Sequence, residues 1–193
     1  MHKIVLLFLT VIYCSAQQTA KEYQKELNSF YLDFLASPIS LEDKATFSGL
    51  EFYEIDEKYI VQAKFILSKK MKNFKMKTTT SRLPIYRKYG ELHFTIDGKK
   101  CKLNVYQNVE FSKIDKYKDK LFLPFLDETN GKETYSGGRY LDIDIPKDKE
   151  IILDFNKSYN PYCAYNKKYS CPIVPKENTL KVSIKAGVKK HNE

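Results

Sequence analysis

The sequence predicts a mainly β fold: a single sandwich or partly open barrel of about seven to ten short, mostly antiparallel strands, with an N-terminal amphipathic helix packed on it. Three observations predict it. From Tyr59 onward apolar residues recur at every second position, and the runs are separated by turn residues. The stretch "ELHFTIDGKKCKLNVY" reads as a hairpin about Asp97-Gly98, a dipeptide suited to a two-residue turn. Counting outward pairs Phe94 with Cys101 and Leu92 with Leu103, so apolar residues meet on one face and the register checks itself.

Taken in order, residues 1–16 read as a signal peptide. A basic start, His2 and Lys3, leads into the apolar run Ile4 to Tyr13 and then the small residues Cys14, Ser15 and Ala16. The run is far shorter than the about 20 apolar residues of a membrane-spanning helix. The expected location is therefore exported, periplasmic or secreted, with no membrane span. Lipidation at Cys14 is the lesser alternative, because Tyr13 stands where a small residue is usual.

Residues 17–48 form the helical segment. Thr19 and Glu22 make a capping box, and Tyr23, Leu27, Phe30, Tyr31, Phe34 and Leu35 fall on one stripe before Ser37-Pro38 ends it. A helical turn capped by Ser40 is expected over Leu41 to Phe47. Residues 49–188 form the β-domain, with strands at Tyr59 to Leu67, Phe74 to Thr80, the hairpin, Leu121 to Phe125, Tyr140 to Ile145, Ile151 to Asn156 and Thr179 to Lys185. Residues 189–193 read as a disordered tail.

The formal charge of +9 does not point to nucleic acid. Of 33 basic residues only Arg82, Arg87 and Arg139 are arginine, and the lysines are scattered over almost every segment. The expectation is a monomer with no nucleic-acid partner. Only His93 is a histidine of the chain body, on the polar face of the hairpin beside Glu91 and opposite Lys102. One histidine cannot readily supply a zinc site or a serine or cysteine triad, so no metal and no cofactor are implied. Cys101 points inward as a small hydrophobe. Cys163 and Cys171, close together in an exported chain, are read as a disulfide.

Two stretches are dense in polar chemistry. In "ETYSGGRYLDIDIP" the glycines enter a strand, and the lysine and helix of a phosphate loop are missing. Arg139 shares strand parity with Leu141 and Ile143, so its guanidinium turns inward and needs a partner, with Asp127, Glu133 and Asp154 as candidates. It is either a structural ion pair or the anion receptor of a pocket. The second stretch, "LDFNKSYNPYCAYNKKYSCPIVPKEN", brings Asp154, Asn156, Tyr159, Asn160 and Tyr165 close together, as a polar-ligand platform or as a self-bonded loop.

The blocks "SPISLEDKATFSGLEFYEID", "YRKYGELHF", "LFLPFLDETNGKETYSGGRYLDI", "LDFNKSYNPYCAY" and "CPIVPKENTLKVSIKAG" resemble, in order, a bacterial domain-of-unknown-function family, number sixteen eighty-four. The resemblance implies a shared fold and site but no activity. Its polar motif falls on Glu133, Tyr135, Gly137, Gly138, Arg139, Tyr140, Asp154, Asn156, Tyr159, Asn160 and Cys163, and Lys157 departs from the arginine of the pattern. Three functions stay open. The leading one is non-catalytic binding of a small polar or anionic ligand or envelope component, by Glu133, Tyr135, Arg139, Asp154, Asn156, Tyr159 and Asn160. The others are a carboxylate-based hydrolase using Asp154 and Glu133, and a structural or interaction domain.

Overall fold

The computed structural model describes residues 18–191, so the leader expected at 1–16, Cys14 within it, and residues 192–193 lie outside the described residues. Helix α1 (Ala20–Leu32) opens with the capping box. Glu22 N–H donates to Thr19 Oγ1 at 3.2 Å and Thr19 N–H donates to Glu22 Oε2 at 2.9 Å. The helix stops before Pro38 because Asp33 Oδ1 accepts from the amides of Leu35 and Ala36, an Asx turn that competes with the helical bonds. Phe34 and Leu35 therefore leave the stripe and stand exposed. The next turn is only Asp43–Ala45, with Ser40 Oγ accepting from Asp43 N–H.

Seven strands follow: β1 (Ile60–Leu67), β2 (Asn73–Lys75), β3 (Ile85–Ile96), β4 (Lys99–Asn108), β5 (Lys120–Phe125), β6 (Arg139–Asp144) and β7 (Glu150–Asp154). They form one antiparallel sheet ordered β6-β5-β4-β3-β1-β7, with β2 added to β3, curled into a half-barrel. Asp97 and Gly98 both have positive φ, the backbone of a tight hairpin turn, and Phe94 pairs with Cys101 and Leu92 with Leu103 as the sequence predicts.

Three strands differ from expectation. The stretch from Phe74 to Thr80 keeps regular pairing only over β2. Farther along, Thr78 meets Pro172 in a single bridge, since proline has no N–H to extend a ladder. The strand expected to reach Asn156 stops at Asp154, whose Oδ1 accepts from Asn156 N–H and winds Phe155–Lys157 into a 3-10 turn. Over Thr179 to Lys185 no regular strand forms. Thr179 makes a single parallel bridge with Leu126, and past the bend at Lys181 and Val182 the bonds to the same neighbour become isolated ones, Glu128 N–H to Val182 O and Ile184 N–H to the Asp127 side chain.

The core lies in the concavity of the sheet. Leu92, Leu103, Val105, Leu121, Leu123, Phe125, Leu153 and Phe155 are all at or below 1% exposed, and Leu180, Val182, Ile184 and Ala186 enter from the C-terminal segment to pack on them. That extended plug is the second layer. Burying each large apolar side chain is worth about 1.5–3 kcal/mol. Cys101 is buried here, and burial raises its thiol pKa. On the other face Met76, Tyr86 and Tyr106 are covered, and α1 docks through Tyr31 onto Ile39 and Tyr165. Gln24 Nε2 also donates to Asn156 O at 2.9 Å, and Leu50 N–H to Asn28 Oδ1 at 2.7 Å.

Two glycines separate turn geometry from packing. Gly98 has φ +71° with open space where a Cβ would stand, whereas at Gly187, φ +76°, a Cβ would lie 2.2 Å from Ser158 Oγ and 2.6 Å from Ser158 O. Urea unfolding of Gly98→Ala is expected to show a loss of about 1 kcal/mol from the left-handed backbone alone. Gly187→Ala should lose about 3–5 kcal/mol because overlap with a fixed carbonyl adds to it.

Candidate functional site

Arg139, at the start of β6, is wholly enclosed. Its Nη2 donates to Asp127 Oδ2 at 2.8 Å and to Ile184 O at 2.7 Å, and its Nη1 donates to Ala186 O and, at 3.5 Å, to Val188 O. The side chains of both Arg139 and Asp127 are 0% exposed, and the guanidinium lies 5.3 Å from the Phe125 ring centroid. Only Nε lacks a partner. The other carboxylate oxygen, Asp127 Oδ1, accepts from Thr129 N–H, Thr129 Oγ1 and Ile184 N–H. Gly138, φ +91°, makes this entry feasible, since a Cβ there would stand 2.7 Å from Phe125 O. Of the two roles the sequence leaves open, the geometry is that of a structural ion pair. The guanidinium faces protein acceptors and no cavity.

The remaining expected ligand residues part company. Asn156 is fully buried and clamps the chain at Asp56, accepting from Asp56 N–H at 3.1 Å and donating to Asp56 O at 3.0 Å and Asp154 Oδ1 at 2.9 Å. Asp154 also faces Lys157 Nζ at 3.8 Å, beside a separate groove near Gln18 to Lys21. Tyr159 exchanges backbone bonds with Tyr140 and donates its hydroxyl to Asp142 Oδ2 at 2.8 Å. Glu133 pairs with Lys185 at 3.1 Å and accepts from Tyr53 Oη at 3.2 Å, and these bonds, Lys185 first, hold its carboxyl below the usual range. His93 sits on the sheet surface, 3.0 Å from Glu91 Oε2 and paired with Lys102, while Lys88 and then His93 hold the Glu91 carboxyl down at about 2.

Tyr135 and Cys163 do meet, at the edge of an open cleft of about 1040 Å³. Its walls are the loop from Ser40 to Glu51, the turn from Cys163 to Lys167, and Val188 to His191. Asn160 stands behind it as a brace, its Nδ2 donating to Tyr165 Oη at 3.1 Å and Lys189 O at 2.8 Å. Tyr135 Oη lies 3.9 Å from Cys163 Sγ, and Cys163 N–H donates to Cys171 Sγ at 3.2 Å. Among the described residues no disulfide is found. Cys163 and Cys171 stand as unbridged thiols, linked through the Cys163 amide. Among the described residues no group of three His, Cys, Asp or Glu is placed to hold a metal ion, and no helix is long and apolar enough to cross a membrane.

The model of the family described as "Protein of unknown function (DUF1684)" matches residues 45–189. The chain belongs to that family. A DUF1684 relationship agrees with a solved likeness. The solution NMR structure of the uncharacterized protein from gene locus rrnAC0354 of Haloarcula marismortui superposes with a TM-score of 0.69 at 31% identity, over 88% of this chain and 91% of that one. None of the curated proteins matches the chain. The DUF1684 segment holds the sheet, the Arg139–Asp127 pair, Cys163 and Cys171, and α1 precedes it.

Sequence reasoning missed part of the cleft. The expected tail at 189–193 is bonded as far as Lys190, with Lys189 N–H donating to Glu51 O and Lys190 N–H to Glu133 O, and the His191 ring packs 5.3 Å from Tyr165 and 5.7 Å from Phe47. Asn178 was also missed. It is fully buried, and its Nδ2 donates to Asn104 O and Pro124 O, tying the plug's start to β4 and β5. Its presence inside the matching block "CPIVPKENTL" was the available signal.

Removing one partner of a buried pair strands the other charge. Asp127→Asn and Arg139→Met are each expected to lower unfolding free energy by about 3–5 kcal/mol. The double variant should fall short of the sum by about 1–3 kcal/mol, as read by urea unfolding, since both changes break one contact.

Proposed function

We propose that this domain binds a small polar ligand, without catalysis, in the cleft bounded by Ser40 to Glu51, Tyr135, Cys163 to Lys167 and Val188 to His191. One observation carries the reading: the cleft presents charges of both signs outside any salt bridge among the described residues. Lys167 and Lys190 face it, as do Glu42 and Glu51, and among the described residues none of the four takes a salt-bridge partner. Phe47 and Tyr165 add aromatic surface. A concave site of this size with a few polar groups suits a ligand carrying both an anionic and a cationic group.

Arg139 is not the anchor, because both its terminal nitrogens donate within the core and its side chain is fully enclosed. Tyr135 and Asn160 keep a part, the first as lining and the second as the brace behind it. The carboxylate-hydrolase reading loses its basis, since Asp154 and Glu133 take unrelated partners and do not line one cavity. The basic start and apolar run before residue 17 support an exported setting for this binding.

Thermal melts across amino acids, betaines, dicarboxylates and sugar phosphates test the proposal. A ligand at 100 times its Kd should add about 2.7 kcal/mol. The shift should vanish in Lys167→Glu/Lys190→Glu and persist in Lys100→Glu, on exposed β4 surface. No shift from any compound, or a shift unchanged in the double variant, contradicts it.

A further inference from the structure

We propose that Cys163 and Cys171 form a reversible oxidation site for hydroperoxides, with Cys163 as the attacking thiol and Cys171 as the thiol that resolves it. Four observations support this division. Cys163 is half-buried and lines the open cleft, while Cys171 is buried and absent from its lining. Cys163 N–H donates to Cys171 Sγ at 3.2 Å, so the second sulfur already lies against the backbone of the first and closure needs little backbone movement. Tyr135 Oη, 3.9 Å from Cys163 Sγ, is placed to donate to a thiolate there. The bond from the Cys171 thiol, then that from Tyr135, holds the Cys163 thiol down at about 7, whereas Cys171 is pushed well up by Cys163 and by burial. The accessible sulfur is thus the one that ionises first, the condition for site-selective oxidation.

The steps balance. The Cys163 thiolate attacks the terminal oxygen of a hydroperoxide ROOH. An S–O bond forms, the O–O bond breaks, and RO⁻ leaves, taking up the proton that the thiol had released. Cys163 is then a sulfenic acid. Cys171 sulfur attacks Cys163 Sγ, the S–S bond forms, the S–O bond breaks, and hydroxide departs with the Cys171 proton as water. In sum, two thiols and ROOH give a disulfide, ROH and water, and an external dithiol reverses the change. The disulfide expected from the sequence is then the oxidised end of this cycle, and the two thiols, unequal in exposure, are its reduced end. This inference does not rest on the ligand proposed for the cleft, only on access to Cys163.

The test uses the full chain, reduced and then treated with one equivalent of tert-butyl hydroperoxide, followed by intact mass and peptide mapping. Wild type should lose two hydrogens, form the 163–171 link and regain them with dithiothreitol, leaving Cys101 a free thiol as internal reference. A lowered thiol pKa raises the thiolate fraction at about pH 7 by more than it lowers intrinsic nucleophilicity, so Cys163 should react faster than an unperturbed thiol. In Cys171→Ser, Cys163 should stop as a sulfenic acid captured by a cyclic dione, and Cys163→Ser should not react at Cys171. The proposal is overturned if wild type forms no 163–171 link. It is equally overturned if Cys163 reacts no faster than a free cysteine peptide, or if Cys171 is the sulfur that carries the sulfenate.

Discussion

The fold depends on one enclosed contact, the pairing of Arg139 with Asp127. Neither side chain touches solvent, and together they reach three carbonyl groups of the C-terminal segment and one of its amides. A half-barrel exposes its concave face unless something covers it, and here the cover is an extended chain without a ladder of its own. Backbone carbonyls inside a core must be paired. The guanidinium pairs those of Ile184 and Ala186, where a regular sheet would have used another strand. Burial of Leu180, Val182 and Ile184 supplies the stabilising energy. The ion pair contributes position, since a buried pair is weak evidence for net stability but sets where a segment must lie.

The cleft follows from that placement. The plug crosses the core at Ile184 and Ala186, passes Gly187 where only a glycine fits against Ser158, and emerges as Val188 to His191, one wall of the cleft. The turn that carries Cys163 is fixed at its far end by Cys171, whose neighbour Pro172 lies under the Tyr140 hydroxyl. Tyr140 follows Arg139 on β6, so adjacent residues hold the two walls from opposite faces of one strand. In this way the motif that looked like a binding site in the sequence is the frame of a site beside it.

The sequence was most legible where local chemistry and long-range packing agree. The Asp97-Gly98 hairpin, the Thr19–Glu22 box and the inward parity of Arg139 needed only turn geometry, capping and the two-residue period. It was least legible where side chains replace backbone partners. Asp33 and Asp154 end elements by capping them, Pro172 cuts a ladder to one bridge, and Thr179 to Lys185 alternates like a strand although it meets its neighbour in one bridge only. Alternation reports which face is buried, not what satisfies the carbonyls. Likewise the lysines after residue 188 read as tail by charge, though their amides are bonded to Glu51 and Glu133.

If the buried pair holds the plug as an integral layer, the plug opens only when the whole domain does. Native-state hydrogen exchange measures this directly at the amides of Leu180, Ile184 and Val188, which donate to Leu126 O, Asp127 Oδ1 and Ser158 O. These amides should exchange with the same free energy and denaturant dependence as Leu92 and Leu103 in the central hairpin, the signature of global unfolding. Exchange of the plug through a smaller opening, with the β3–β4 amides still protected, would contradict the account.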